Sequence, residues 1–186
     1  MDQDLNILET IIIGLLRKAG GHGLSKTQLI KLVFLLDIEA VRRNGSCISG
    51  CRYHTDQFGV VDYNIWDAAM ALADEEHIKF SADHNEFGSP IYRIFLVEDI
   101  FESPLPDVQA AVDIVWEKYG ELNAAKLGGI TKEFVPMDDE WETGVLVDPR
   151  DIVYENSKGF QNHANRVLGN YPEDHSEIRP IEEIIG

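Results

Sequence analysis

Residues 24–45 read LSKTQLIKLVFLLDIEAVRRNG, and the architecture turns on whether this helix lies in a core or grips nucleic acid. Ser25 as N-cap with Gln28 three residues later makes a capping box, and Gly45 supplies a C-terminal stop. On a helical wheel Gln28, Lys31, Glu39, Arg42 and Arg43 share one arc, while most of the remaining circumference is apolar. So wide an apolar face calls for packing on several sides, with one polar stripe displayed. Arg42 and Arg43 near the C-terminus suit the helix dipole as well as they would suit phosphate. Asp37 interrupts the apolar face, falling among Ile30, Val33, Ala40 and Val41. A carboxylate there must accept hydrogen bonds or meet a cation. Arg52, Tyr53 and His54 in the following segment are the candidate partners, and the expected role is a buried polar link that fixes the next loop.

Upstream, Leu5, Leu8, Ile12 and Leu15, widened by Ile7, Ile11 and Leu16, predict a helix over 4–19, stopped at Gly20-Gly21. Downstream, SCISGCRYHTDQFGVV (46–61) is turn-rich with short extended pieces. Asp62 is placed to cap a helix running to about Glu75. Period-two alternation at Ile78 and Phe80, then at Tyr92, Ile94 and Leu96, predicts a hairpin from His77–Ser81 and Pro90–Val97. A helix follows over Asp107–Tyr119, and a short one capped by Asn123 is expected to end near Gly128-Gly129. Beyond Pro136 the pattern weakens, with a candidate helix over 158–168 and a one-turn amphipathic end at Ile181, Ile184 and Ile185. The fold class is mainly α with a small antiparallel β-hairpin.

The formal net charge is −17, unevenly spread. Residues 1–60 carry seven Lys/Arg against six Asp/Glu, whereas the other 126 carry nine against 27. So acidic a body repels DNA and attracts basic protein surfaces; solubility or a salty cytoplasm would also account for it. The apolar runs are too short to span a membrane. The opening MDQDLNILE lacks the order of a signal peptide, so a cytoplasmic location is expected.

The order helix, helix, turn, helix, hairpin is that of a winged helix, which makes nucleic-acid binding the alternative function to weigh. The helix in the reading position, Asp62–Glu75, contains four Asp/Glu and no Lys or Arg, and its wing loop, Asp83-His84-Asn85-Glu86, is acidic. Reading DNA with that helix is disfavoured; the small basic cluster Arg42, Arg43 and Arg52 carries what remains of the alternative. Cys47, Cys51 and His54 lie in one turn-rich segment, but a structural zinc site wants four ligands, and only His22 offers itself as the fourth. Two reduced cysteines are the better expectation. Phosphate loops, HExxH, GxSxG and dinucleotide fingerprints are all missing from the sequence. Neither an enzyme nor a cofactor is expected.

The run LSKTQLIKLVFLLD, then RRNG, ISG-x-RY and FG-xxx-YNIWDAA, resembles the Panacea domain of SocA-like antitoxins. The positions carrying the resemblance are Lys31, Leu32, Phe34, Leu35 and Asp37, then Gly45, Arg52, Phe58 and Gly59; WEKYGELNAAKLGGIT is similar to the family's later helix pair. Val60 stands where the family often has proline, and Lys132 where a histidine after threonine is usual. The resemblance covers roughly 5–142, which sets a helical domain over 1–142 and a weakly patterned extension over 143–186. It implies a mostly helical protein with a small β element that neutralises a toxin by direct contact, in a toxin–antitoxin or prophage-type locus. The oligomeric state, a homo-oligomer included, stays open. A toxin that handles nucleic acid would offer a basic surface for an acidic partner to cover. Trp141, rimmed by Asp138–Glu142, is a candidate anchor for that contact beside Arg42 and Arg43.

Overall fold

A computed structural model of the chain describes residues 6–84, 88, 90–97, 105–135 and 142–154. Helix α1 (Ile7–Ala19) opens with a capping box between Asn6 and Glu9, and a single 3-10 turn (Gly20–His22) leads into strand β1 (Leu24–Ser25). Helix α2 (Lys26–Asn44) starts at the expected box: the Ser25 hydroxyl accepts from the Gln28 amide at 3.2 Å, and the Gln28 side chain accepts from the Ser25 amide at 3.0 Å. It ends at Gly45, whose φ of 74° is left-handed. Strands β2 (Tyr53–Asp56) and β3 (Gly59–Val61) then form a hairpin, followed by helix α3 (Asn64–Asp74). The second hairpin, β4 (Ile78–His84) and β5 (Pro90–Leu96), precedes helices α4 (Pro106–Tyr119) and α5 (Ala124–Glu133) and strand β6 (Leu146–Val147).

The protein is mainly helical with two small antiparallel sheets. In one, the order is β1-β5-β4, with Leu24 opposite Ile94. A short strand between the first two helices that joins the outer hairpin is the winged-helix arrangement, here interrupted between α2 and α3 by the β2–β3 hairpin. The other sheet has the order β3-β2-β6, with Asp56 opposite Gly59, so Gln57 and Phe58 form a two-residue turn. The first residues of the weakly patterned stretch from 143 pack on the body of the protein. Strand β6 pairs Val147 with Tyr53, Val147 and Ile152 join the core, and the compact unit runs to Val153. The candidate helices at 158–168 and 181–185 lie outside the described residues.

Every residue of α2 from Leu29 to Val41 is buried. Helix α1 packs across it, α4 and α5 flank it, and Val112 of α4 approaches Gly14 of α1 so closely that an added Cβ would sit 3.1 Å from a valine methyl. The expectation of a displayed polar stripe is corrected. Lys31 is 1% exposed and Glu39 is 3% exposed, and each is consumed by a neighbouring element. Glu39 accepts from Lys118 at 2.6 Å and Arg42 at 2.7 Å, with the Tyr119 hydroxyl at 3.3 Å, tying α2 to α4. The Gln28 amide donates to the Leu122 carbonyl at 3.1 Å. Burying each large apolar side chain of α2 stabilises by about 2 kcal/mol, and the sum offsets the several kcal/mol that a buried ion costs.

Two boundaries also move. Helix α3 starts at Asn64 rather than just after Asp62, although Asp62 still accepts from the Asn64 amide at 2.9 Å. Helix α5 runs through Gly128-Gly129 instead of ending there, because Leu127 and Thr131 are buried against the body and the backbone at Gly128 lies under the Phe58–Gly59 turn. Tertiary packing there overrides the roughly 1 kcal/mol that each helical glycine costs.

Candidate functional site

The site is built on a buried amine. Lys31 points from α2 into the base of the β2–β3 hairpin, where its ammonium donates to the Val60 carbonyl at 2.6 Å. Burial lowers its pKa from 10.5 to about 8, with the Asp56 carboxylate pulling the other way. Gly59 sits directly above, at φ 102°, and a Cβ there would meet the Thr131 hydroxyl at 2.8 Å and the Lys31 ammonium at 3.2 Å. Only glycine lets the turn rest that closely on the lysine and on α5.

Phe58, at the tip of this turn, faces outward. Its side chain is 64% exposed, although it is among the largest apolar groups in the chain. A cavity of about 300 Å³ lies on one side, lined in part by Lys26, Thr27, Asp56 and Tyr63. Another of about 420 Å³ lies on the other, lined in part by Thr27, Ala124, Gly128 and Lys132. The first turns of α2 and α5 both border these cavities and add positive field. Tyr63 donates to Asp56 at 2.6 Å; this hydrogen bond holds the Asp56 carboxyl below its ordinary range and raises the phenol. Lys26 lies 4.6 Å from the Trp66 ring centroid and 5.8 Å from that of Tyr63, within cation–π range.

A second polar cluster anchors the segment leading to the hairpin. Asp37 accepts from the amides of Ile48 at 2.9 Å and Ser49 at 3.0 Å, from the Ser49 hydroxyl, and from the Tyr53 hydroxyl at 2.8 Å. It is the loop-fixing link expected from the sequence, with Tyr53 as partner. The other two candidates go elsewhere. The Arg52 amide donates to Asp62 at 2.6 Å, and the His54 ring leans on Tyr63 with centroids 5.5 Å apart. Burial and the Asp37 carboxylate together raise the Tyr53 phenol well above its usual value. Phe34 packs edge-on against Tyr53 at 5.0 Å.

Cys47 and Cys51 are free thiols, pushed by burial to about 11 and about 12. Among the described residues no group of three or more His, Cys, Asp or Glu side chains converges as metal ligands, so Cys47, Cys51 and His54 are not brought together as one. Arg42 is taken up by Glu39 and stacks 5.3 Å from the Phe134 ring centroid; Arg43 borders a small cleft with Glu39 and Asp107. Trp141 lies outside the described residues. Lys31, Phe58 and Gly59 thus meet at one place, joined by Lys26, Tyr63, Trp66 and Thr131, which sequence reasoning did not single out. The available signal was the position of Lys26, Tyr63 and Trp66 at helix starts.

The chain is thus a winged-helix-ordered helical domain with an inserted hairpin, in which a buried lysine and a positive-φ glycine lie at the base of a turn whose aromatic side chain is exposed. The family model described as Antitoxin SocA-like, Panacea domain matches residues 29–136. The match spans more than half of the chain, and the chain belongs to that family of antitoxin-like proteins. No curated protein and no solved structure matches it. No helix among the described residues is long and apolar enough to cross a membrane.

Proposed function

We propose that this protein is a non-enzymatic, cytoplasmic antitoxin that neutralises a toxin by direct contact, encoded beside it in a toxin–antitoxin or prophage-type locus, and that the Phe58 turn is the centre of the contact. The family match supports the antitoxin reading. The observation that carries the site is a large aromatic residue 64% exposed at a turn whose glycine rests closely on Lys31 and Thr131. Leaving such a side chain in water forgoes about 2 kcal/mol of burial, and a partner recovers it on docking, as central aromatic anchors do. Trp141 is a second proposed anchor. The test is co-expression with the gene next door. The wild-type chain restores growth, Phe58→Ala does not, and both melt at the same temperature. Failure of the wild type to rescue refutes the antitoxin reading.

One observation favours a second reading, a nucleic-acid-binding regulator: the strand order β1-β5-β4 behind α3. Against it, α3 carries Asp67 and Asp74 and no basic residue, and Arg42 is committed to Glu39. Salt-sensitive duplex binding that drops on changing Arg42, Arg43 and Arg52 to glutamine would support it; no mobility shift at low salt removes it.

A further inference from the structure

Lys31 carries a charge that its surroundings do not compensate. The residue is 1% exposed, and of the three donors on an ammonium one goes to the Val60 carbonyl, a neutral acceptor, at 2.6 Å. Burial acts hardest against the charge; the Asp56 carboxylate draws the other way, and Lys132 adds to the burial. The net result is a pKa lowered to about 8. Lys31 also lines the cavity of about 300 Å³ beside Phe58. Lys26 and Thr27, from the first turn of α2, line it too, as do the apolar side chains of Ile30, Val61 and Phe58. The Trp66 and Tyr63 rings hold the Lys26 ammonium in place without neutralising it. The N-terminal end of a 19-residue helix adds its positive field at the same wall.

From this arrangement we infer that the cavity binds a small carboxylic acid with an apolar tail, its carboxylate on the Lys31 and Lys26 ammoniums and its tail against Ile30, Val61 and Phe58. The inference goes beyond the antitoxin reading and does not rest on it. A carboxylate is chosen over a neutral acceptor because a buried cation gains most from an anion that reaches it. A tail is called for because an inorganic anion would leave the apolar part of the lining unused. Binding also favours the charged amine, so it is linked to a proton. Between pH 8 and 9 the unliganded Lys31 gives up its proton, and affinity falls about tenfold across that unit. Lys26 of α2, Asp56 of β2, Tyr63 and Lys132 of α5 are the titratable groups that face the amine or line its cavity. The bond between Tyr63 and Asp56 keeps the phenol neutral and the carboxyl ionised, so neither titrates in that window.

The test is isothermal titration of the full chain with hexanoate at pH 7, 8 and 9 and constant ionic strength, with hexanamide and inorganic phosphate as comparison ligands. Hexanoate is expected to saturate one site with a Kd on the order of 1 mM or tighter at pH 7. Hexanamide and phosphate should each bind about tenfold or more weakly. Lys31→Met should weaken hexanoate about tenfold or more and abolish the fall between pH 8 and 9, while Lys79→Met, at an exposed position of β4, binds as wild type does. Thermal melting checks that both variants are folded. No saturation at about 10 mM, hexanamide or phosphate binding as tightly as hexanoate, or a wild-type affinity that stays constant from pH 7 to 9 would each overturn the inference. Those three results come from the wild-type chain, so they hold whatever the variants do. Growth rescue by the neighbouring-gene assay is scored separately. Rescue without hexanoate binding sinks this inference alone, and hexanoate binding without rescue sinks the antitoxin reading alone.

Discussion

Replacing Lys31 with methionine separates two opposing effects at the buried amine. Methionine keeps the length of the stem but removes the donor to the Val60 carbonyl, a 2.6 Å bond whose loss costs about 1–3 kcal/mol. It also removes a cation that folding takes out of water. Lys31 has its pKa lowered from 10.5 to about 8, and at about 1.4 kcal/mol per pH unit that interval is worth roughly 3 kcal/mol. For a group whose folded value is depressed, the unfolded chain holds more protons between pH 8 and 10.5, so stability rises with pH across that window. The penalty is full below pH 8 and gone above 10.5. Near pH 7 the two effects of the substitution nearly cancel, and the variant unfolds within about 2 kcal/mol of wild type. Toward pH 10 the wild type gains up to roughly 3 kcal/mol that the variant does not. Cys47, Cys51 and Tyr53, all raised, destabilise the fold as pH climbs, but they do so in both proteins. The difference between the two urea denaturation curves at pH 7, 8.5 and 10 therefore isolates the amine. A difference that stays constant across those pH values would refute the assignment of Lys31 as a buried, desolvated cation.

Asp37→Asn keeps the shape of the loop anchor but presents an amide to the hydroxyls of Ser49 and Tyr53, both of which approach the same carboxylate oxygen. Urea denaturation should show a loss of about 1–3 kcal/mol. Gly59→Ala forces a Cβ to within 2.8 Å of the Thr131 hydroxyl at φ 102°, and should lower stability by about 1–3 kcal/mol. Adding Thr131→Ala should recover the contact part and leave the backbone part, a non-additivity visible in a double-mutant cycle. Phe58→Ala changes a side chain left mostly in water and should shift stability by no more than about 0.5 kcal/mol while abolishing growth rescue. Equal loss of both would return Phe58 to a structural role.

Much of α2 could be read without coordinates. Its start, its stop and its burial follow from Ser25, Gln28, Gly45 and the breadth of its apolar face, because caps and periodicity are local properties. The same reasoning identified Asp37 as a loop anchor and Tyr53 among its partners, since a lone carboxylate on an apolar face must be satisfied nearby. The polar arc was misread for the complementary reason. A wheel shows that Lys31 and Glu39 are polar but not whether Val60 or Lys118, 29 and 79 residues away, will arrive to bond them. The end of α5 was misplaced because glycine propensity is a weak signal beside the packing of Leu127 and Thr131. The second sheet went unresolved into strands because β2 and β3 have four and three residues, and β6 comes from a segment with no pattern of its own.

The sequence by itself determined the helical class of this protein, the limits of its central helix, the loop anchor and the family resemblance, all of which depend on residues close together along the chain. Tertiary structure alone decided that Lys31 and Glu39 of α2 are buried, and that Lys26, Phe58 and Gly59 meet beside the first turn of α5. Charge and exposure at a surface depend on which distant segments fold beside it, and that placement is set by the packing of α2, α5 and the hairpin around one buried lysine.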